Sequence, residues 1–301
     1  MSFSSLYSPG PSVFMLITLL RSNHTASGEA ALCKYLLNSN RNSGPWDLMK
    51  RAKVLPPRGD HKYTIVWMHG LGDSSEGFRD LFEQFVMPNT RVVLLNAPVM
   101  PVTANGGMRM QSWYDIRSFD RSEGLNRDED HEGIDQAADA IKRVLEEETK
   151  RVESNRVIVG GFSQGAAMTL RVSLPYEKKL GGITPCSGYL LQNERYPGLL
   201  GPHARETPIL AYHGAVDEVV PLEFAEVGYK KLMECGVKEN LDLRVERRLG
   251  HSMSNSQISE LFSFMSNNGL DCWLFSTLLL EFDTIKKYLS YYTAYAEQDT
   301  A

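Results

Sequence analysis

Four short apolar runs, each stopped by glycine or proline, constrain this chain more than any other feature. They are Tyr63–Met68, Arg91–Leu95, Arg156–Val159 and Pro208–Tyr212, closed by His69-Gly70, Asn96-Ala97-Pro98, Gly160-Gly161 and His213-Gly214. Runs that are continuous rather than alternating are expected of parallel strands buried on both faces. A fifth segment, Leu241–Val245, alternates and reads as an edge strand. Between the strands lie helical patterns. Ile134, Ala137, Ala138, Ile141, Val144 and Leu145 recur at helical spacing, and Glu223–Cys235 forms a second helix ended by Gly236. Strands alternating with helices predict an α/β fold with a mostly parallel, doubly wound sheet and helices on both faces.

Charge and cysteine usage remove several classes of function. Lysine plus arginine number 32 against 37 acidic residues, a net charge of −5, so the clustered basic footprint of a nucleic-acid binder is not expected. Cys33, Cys186, Cys235 and Cys272 lie far apart with no CxxC pair, which suits neither a zinc cluster nor a disulfide framework. The reading is free thiols, no metal and no cofactor. Neither Val13–Leu20 nor Trp273–Leu280 approaches the roughly 20 residues needed to span a bilayer.

The chain divides into an N-terminal extension over 1–54, a body over 55–268 and a C-terminal extension over 269–301. Residues 1–54 are rich in Ser and Asn, with only Glu29 and Asp47 as acids. They read either as a poorly ordered extension or as a targeting segment, so the location expected is cytoplasmic, or an organelle if they target the chain. In the tail, Leu278, Phe282, Ile285, Leu289 and Tyr292 form an amphipathic helical stripe that would pack on the body, a partner or a membrane surface.

The chemistry concentrates at Val157–Gly165, where VIVGGFSQG runs from an apolar strand into G-x-S-x-G. In that setting the serine sits on a sharp strand-to-helix turn with its hydroxyl clear of the sheet, and small residues are needed two positions either side. Serine is unreactive without a base, and the base needs an acid to hold its tautomer. Asp217 follows the strand ending at His213-Gly214, and His251 lies in a loop beyond the alternating strand. Ser163, Asp217 and His251 therefore occur in the order and setting of a hydrolase triad, with Glu218 as the rival acid. His69 and His213 read as organisers of turns. His24, His61, His131 and His203 lie in polar, loop-like surroundings. A tetrahedral oxyanion needs N–H donors. The backbone of Gln164, directly after the nucleophile, is one; Leu71, in the glycine-rich loop His69–Asp73, is the other.

Together HGLGD (His69–Asp73), NAPVMPVT (Asn96–Thr103), SWYDI (Ser112–Ile116), GGFSQGAA (Gly160–Ala167), HGAVDEVVP (His213–Pro221) and GHSM (Gly250–Met253) resemble the acyl-protein thioesterase and lysophospholipase-like carboxylesterase family of the α/β-hydrolase superfamily. The resemblance covers roughly residues 55–268. It implies a metal-free serine hydrolase that removes fatty acyl groups from protein cysteine thioesters or from lysophospholipids. It also implies that Trp113 lies near the acyl site. Met108 and Met110, in the Met- and Pro-rich stretch 98–113, are expected to line an adaptable acyl channel, the alternative being that the stretch forms a capped loop. The partners expected are S-acylated proteins or lysophospholipids, with peripheral membrane contact and a monomer or weak homodimer. The alternatives are a short-chain carboxylesterase and a catalytically silent lipid-binding homologue.

Overall fold

The structure, a computed structural model, describes residues 44–84, 88–119 and 128–268. The chain divides into two compact units, 1–47 and 48–301, and the strands and helices of the described residues lie in the second. The apolar segment at 13–20, the amphipathic stripe at 278–292, Cys33 and Cys272 lie outside the described residues.

Seven strands form the main sheet: β1 (Lys53–Leu55), β2 (Tyr63–Met68), β3 (Thr90–Leu95), β6 (Val157–Phe162), β7 (Gly182–Cys186), β8 (Ile209–Gly214) and β9 (Leu241–Glu246). Their order is β1-β3-β2-β6-β7-β8-β9, and every neighbouring pair is parallel except β1 with β3. A separate antiparallel hairpin, β4 (Val99–Val102) with β5 (Met108–Gln111), leaves the sheet after β3. The helices are α1 (Leu48–Arg51), α2 (Ser75–Gln84), α3 (His131–Glu148), α4 (Gln164–Ser173), α5 (Leu222–Glu234) and α6 (Asn255–Asn267).

Alternation along each strand assigns its side chains to one of two cores. Ile65 and Trp67 of β2, Val92 and Leu94 of β3, and Leu210 and Tyr212 of β8 pack with Phe82 of α2 and with Leu261, Phe262 and Met265 of α6. Ile183 of β7 and Ile209 and Ala211 of β8 face the other way, onto Leu170 of α4 and Ala225, Tyr229 and Leu232 of α5. Each large side chain buried in this way contributes about 2 kcal/mol. Helices thus cover both faces, as the strand–helix alternation predicts. The helical stripe expected from Ile134 to Leu145 is the buried side of α3, and β9 is an edge strand whose exposure alternates over its first four residues, 241–244.

Three elements depart from the sequence reading. β1 joins the sheet at Lys53–Leu55, where the sequence suggests the end of the N-terminal extension, by pairing antiparallel with β3. β7 (GITPC) carries Pro185, which cannot donate to a ladder, and it pairs with β8 only at Ile183↔Ile209 and Cys186↔Tyr212. The Met- and Pro-rich stretch forms the β4–β5 hairpin.

The topology fixes where a site can lie. From β2 the chain builds outward to β3, then returns to place β6 on the opposite side of β2. In an open parallel sheet, the crevice at the carboxyl ends of the strands flanking such a reversal is the natural binding position. β2 ends there at Met68 and β6 at Phe162, so the His69–Asp73 loop and Ser163 face each other across it.

Candidate active site

Ser163 occupies the turn between β6 and α4 with φ 56 and ψ −120, a backbone conformation rare for a residue bearing a side chain. Close approach of chain segments enforces the small residues on either side. A Cβ on Gly165 would collide with the Met68 carbonyl oxygen and lie 2.5 Å from that of His69, and one on Gly161 would lie 2.6 Å from the Gly165 carbonyl oxygen. The Ser163 N–H donates to the Cys186 carbonyl at 2.9 Å, which ties the turn to the end of β7.

Three side chains from separate loops meet here. Ser163 Oγ is 2.8 Å from His251 Nε2, and His251 Nδ1 is 2.7 Å from Asp217 Oδ2. A carboxylate only accepts, so Nδ1 carries the hydrogen and, in the neutral ring, Nε2 accepts from the serine hydroxyl. The Asp217 carboxylate is fully buried. Its Oδ1 accepts from the N–H groups of Val219 at 2.9 Å and Val220 at 2.8 Å, which compensate its lost hydration. Phe162 backs the imidazole, with ring centroids 4.8 Å apart. Glu218 is exposed and His251 bonds to its neighbour Asp217, which separates the two acids that the sequence leaves as rivals. The arrangement is able to move a proton from the Ser163 hydroxyl to an imidazole whose tautomer and orientation are held by a buried carboxylate.

Facing Ser163 is the loop after β2. The Gly72 N–H donates to the Gln111 carbonyl at 2.8 Å and the Asp73 N–H to the Gly70 carbonyl at 3.3 Å. Among the described residues the Leu71 N–H has no acceptor. The Gln164 N–H, at the first position of α4, has none within its helix, and the helix dipole favours negative charge there.

The other two histidines that end strands hold the loops. His69 Nδ1–H donates to the Gly70 carbonyl at 2.6 Å, and Nε2 accepts from the Ala97 N–H at 3.1 Å. His213 donates from Nε2 to the Val220 carbonyl at 2.8 Å, bracing the turn that cradles Asp217. Burial opposes the charged form of both. It lowers His213 and takes His69 from an ordinary 6.5 to about 4.

That shift has a consequence for stability. Between about 4 and 6.5 the unfolded chain binds a proton at His69 that the folded chain does not, so stability falls as pH drops through this window. The expected loss from His69 approaches about 3 kcal/mol by the lower end. Urea unfolding of the wild type and of His69→Asn at about pH 7.5 and about pH 4.5 checks it. The variant should be less stable near neutrality yet lose less on acidification, whereas equal losses would contradict this role.

The structure places the expected acyl-site residues unequally. Met110 lies against the His69–Asp73 loop, its sulfur 3.6 Å from where a Cβ on Gly72 would sit, and it accepts from Asn105 Nδ2 at 3.4 Å. Met108 stands 65% exposed at the turn end of the hairpin. Trp113 is fully buried beneath the His69–Asp73 loop. Its indole N–H donates to the His69 carbonyl at 2.9 Å and its backbone N–H to Gln164 Oε1 at 3.0 Å. Sequence reasoning misses the Gln164 side chain, Ser112 and Gln111; Ser112 lies within SWYDI, yet nothing local says what it touches. Among the described residues, no group of three His, Cys, Asp or Glu is placed to hold a metal ion, and no helix is long and apolar enough to cross a membrane.

Comparison with known proteins agrees with the fold and identifies the family. The phospholipase/carboxylesterase family matches residues 49–268. An acyl-protein thioesterase 1 homologue of Dictyostelium discoideum is 33% identical over 225 residues, 73% of this chain and 96% of that protein. The acyl-protein thioesterase 1 of Yarrowia lipolytica is 31% identical over 222 residues, 72% of this chain and 96% of its own length. Among solved structures, Zea mays acyl-protein thioesterase 2 superposes with a TM-score of 0.65 at 28% identity, covering 72% of this chain and 98% of that one. Arabidopsis thaliana SOBER1 superposes with a TM-score of 0.63 at 29% identity, covering 69% of this chain and 99% of that one.

Proposed function

The chain belongs to the phospholipase/carboxylesterase family of α/β-hydrolases, and from that premise we propose that it is a serine hydrolase that removes long-chain acyl groups from protein cysteine thioesters, acting through Ser163, His251 and Asp217. The observation that carries the reading is the continuous hydrogen-bonded series from Ser163 Oγ through His251 to the buried Asp217 carboxylate. The thioester substrate rests on the acyl-protein thioesterases among the relatives. Proteins acylated on cysteine are the partners this chemistry implies.

In the proposed reaction, His251 Nε2 takes the hydroxyl proton as Ser163 Oγ bonds to the acyl carbon, and the carbonyl electron pair moves onto oxygen. The N–H groups of Leu71 and Gln164 stabilise that oxyanion, and Asp217 stabilises the imidazolium. Collapse of the intermediate breaks the carbon–sulfur bond, and the imidazolium protonates the departing cysteine thiolate. Water then gives a proton to His251 and attacks the acyl-serine. Its collapse returns the proton to Ser163 and releases the fatty acid.

Rates on matched thioesters and oxyesters of increasing acyl length, with Ser163→Ala as the blank, test this reading. Turnover is expected to rise towards long-chain thioesters. A maximum at short oxyesters would favour a carboxylesterase, and absence of any Ser163-dependent turnover would favour a lipid-binding protein.

A further inference from the structure

In the proposed reaction Gln164 acts through its backbone alone, yet the residue is 2% exposed and its side chain grips a single distant segment. Gln164 Oε1 accepts from the Trp113 backbone N–H, 51 residues earlier, at 3.0 Å. Gln164 Nε2 donates to the Tyr114 carbonyl and to Ser112 Oγ, both at 2.9 Å. Ser112 Oγ in turn donates to the Tyr114 carbonyl at 2.6 Å. The carboxamide therefore meets donors and acceptors of residues 112–114 with both of its ends.

That segment holds the opposite wall of the site. From it the Trp113 indole N–H reaches the His69 carbonyl at 2.9 Å, and the adjoining Gln111 carbonyl accepts the Gly72 N–H at 2.8 Å. These two ties fall on either side of Leu71. The loop between them contains Gly70 and Gly72, the latter at φ +77, so its own backbone does little to fix where the Leu71 N–H points. The ring of Trp113 stacks obliquely on that of His69, with centroids 5.3 Å apart, and adds packing to the hydrogen bond.

We infer that the Gln164 carboxamide and the Trp113 indole are positioning residues that together set the separation and direction of the two oxyanion donors. Gln164 presents one donor from its backbone. Its side chain holds the segment that holds the loop presenting the other. This inference rests on the reading of Leu71 and Gln164 as oxyanion donors, and it gives Trp113 a task beneath the site rather than against the acyl chain. Preorganised donors act by standing where charge develops in the transition state, so loosening them lowers kcat and leaves ground-state binding nearly unchanged.

The test is a double-mutant cycle on full-length protein with a long-chain thioester, with Ser163→Ala as the blank. Trp113→Phe keeps an aromatic ring and removes the indole N–H. Gln164→Glu keeps an acceptor for the Trp113 N–H and removes the donors to Tyr114 and Ser112. Each single variant is expected to lower kcat by about tenfold or more with KM within about twofold. The double variant should lose no more than the worse single, because both changes break one coupled support. Losses that multiply, or a KM increase at unchanged kcat, would overturn the inference while Ser163-dependent turnover remained. Turnover surviving in Ser163→Ala would instead overturn the reading beneath it. If Gln164→Glu does not fold, Trp113→Phe alone decides through its split between kcat and KM.

Discussion

Ser163→Ala is expected to lower kcat on a long-chain acyl thioester by about a million-fold, leaving the folded structure intact. The change deletes one oxygen at a position whose backbone is held by the Ser163 N–H bond to Cys186 and by packing of Gly161 and Gly165 against neighbouring carbonyls. The N–H groups of Leu71 and Gln164 stay in place, so some rate enhancement over water should survive. Single-turnover measurement of acyl release, with unfolding midpoints as the control, checks both halves. A variant that is folded and still turns over at the wild-type rate would remove Ser163 from the reaction.

Asp217→Asn is expected to cost about ten-thousand-fold in kcat for a different reason. The Val219 and Val220 N–H groups would still be accepted by the amide oxygen, since both bond to a single oxygen, Oδ1, in the native carboxylate. The amide nitrogen would then take the place of Oδ2, which lies 2.7 Å from His251 Nδ1, and offer a donor where an acceptor is required. The imidazole would respond by carrying its hydrogen on Nε2, which cannot then take the proton of Ser163. KM should change little, because no part of this change touches the acyl chain. If the Asp217→Asn variant kept kcat within about tenfold of wild type, the carboxylate would not be what sets the tautomer.

Much of this fold is legible in the sequence because buried parallel strands leave a local trace. Ile65–Met68 and Val92–Leu95 are apolar at every position, for both faces of the sheet are covered. β9 is legible for the complementary reason, since an edge strand alternates. β7 is obscured because Thr184 and Pro185 interrupt a five-residue strand, and proline argues against a central position. The hairpin is obscured because β4 is largely exposed and contains Pro101.

The site divides in the same way. Ser163, Asp217 and His251 are legible through loops at strand ends and their order along the chain, both local properties. The Gln164 carboxamide leaves no such trace, since its partners at 112–114 lie far off in the sequence and become neighbours only when α4 packs against that segment. Trp113 stands out in SWYDI but its surroundings do not, because an indole beneath a loop and one lining a channel look alike in sequence.

The central claim is that Ser163 is the nucleophile and is made so by His251. Treatment with a long-chain alkyl fluorophosphonate, followed by intact-mass analysis and peptide mapping, tests it most directly, since the reagent bonds covalently to an activated serine and releases fluoride. The expected result is one adduct per chain, on the peptide carrying Ser163, at a rate that collapses in His251→Ala. An adduct on another residue, or labelling of Ser163 at an unchanged rate in His251→Ala, would contradict it.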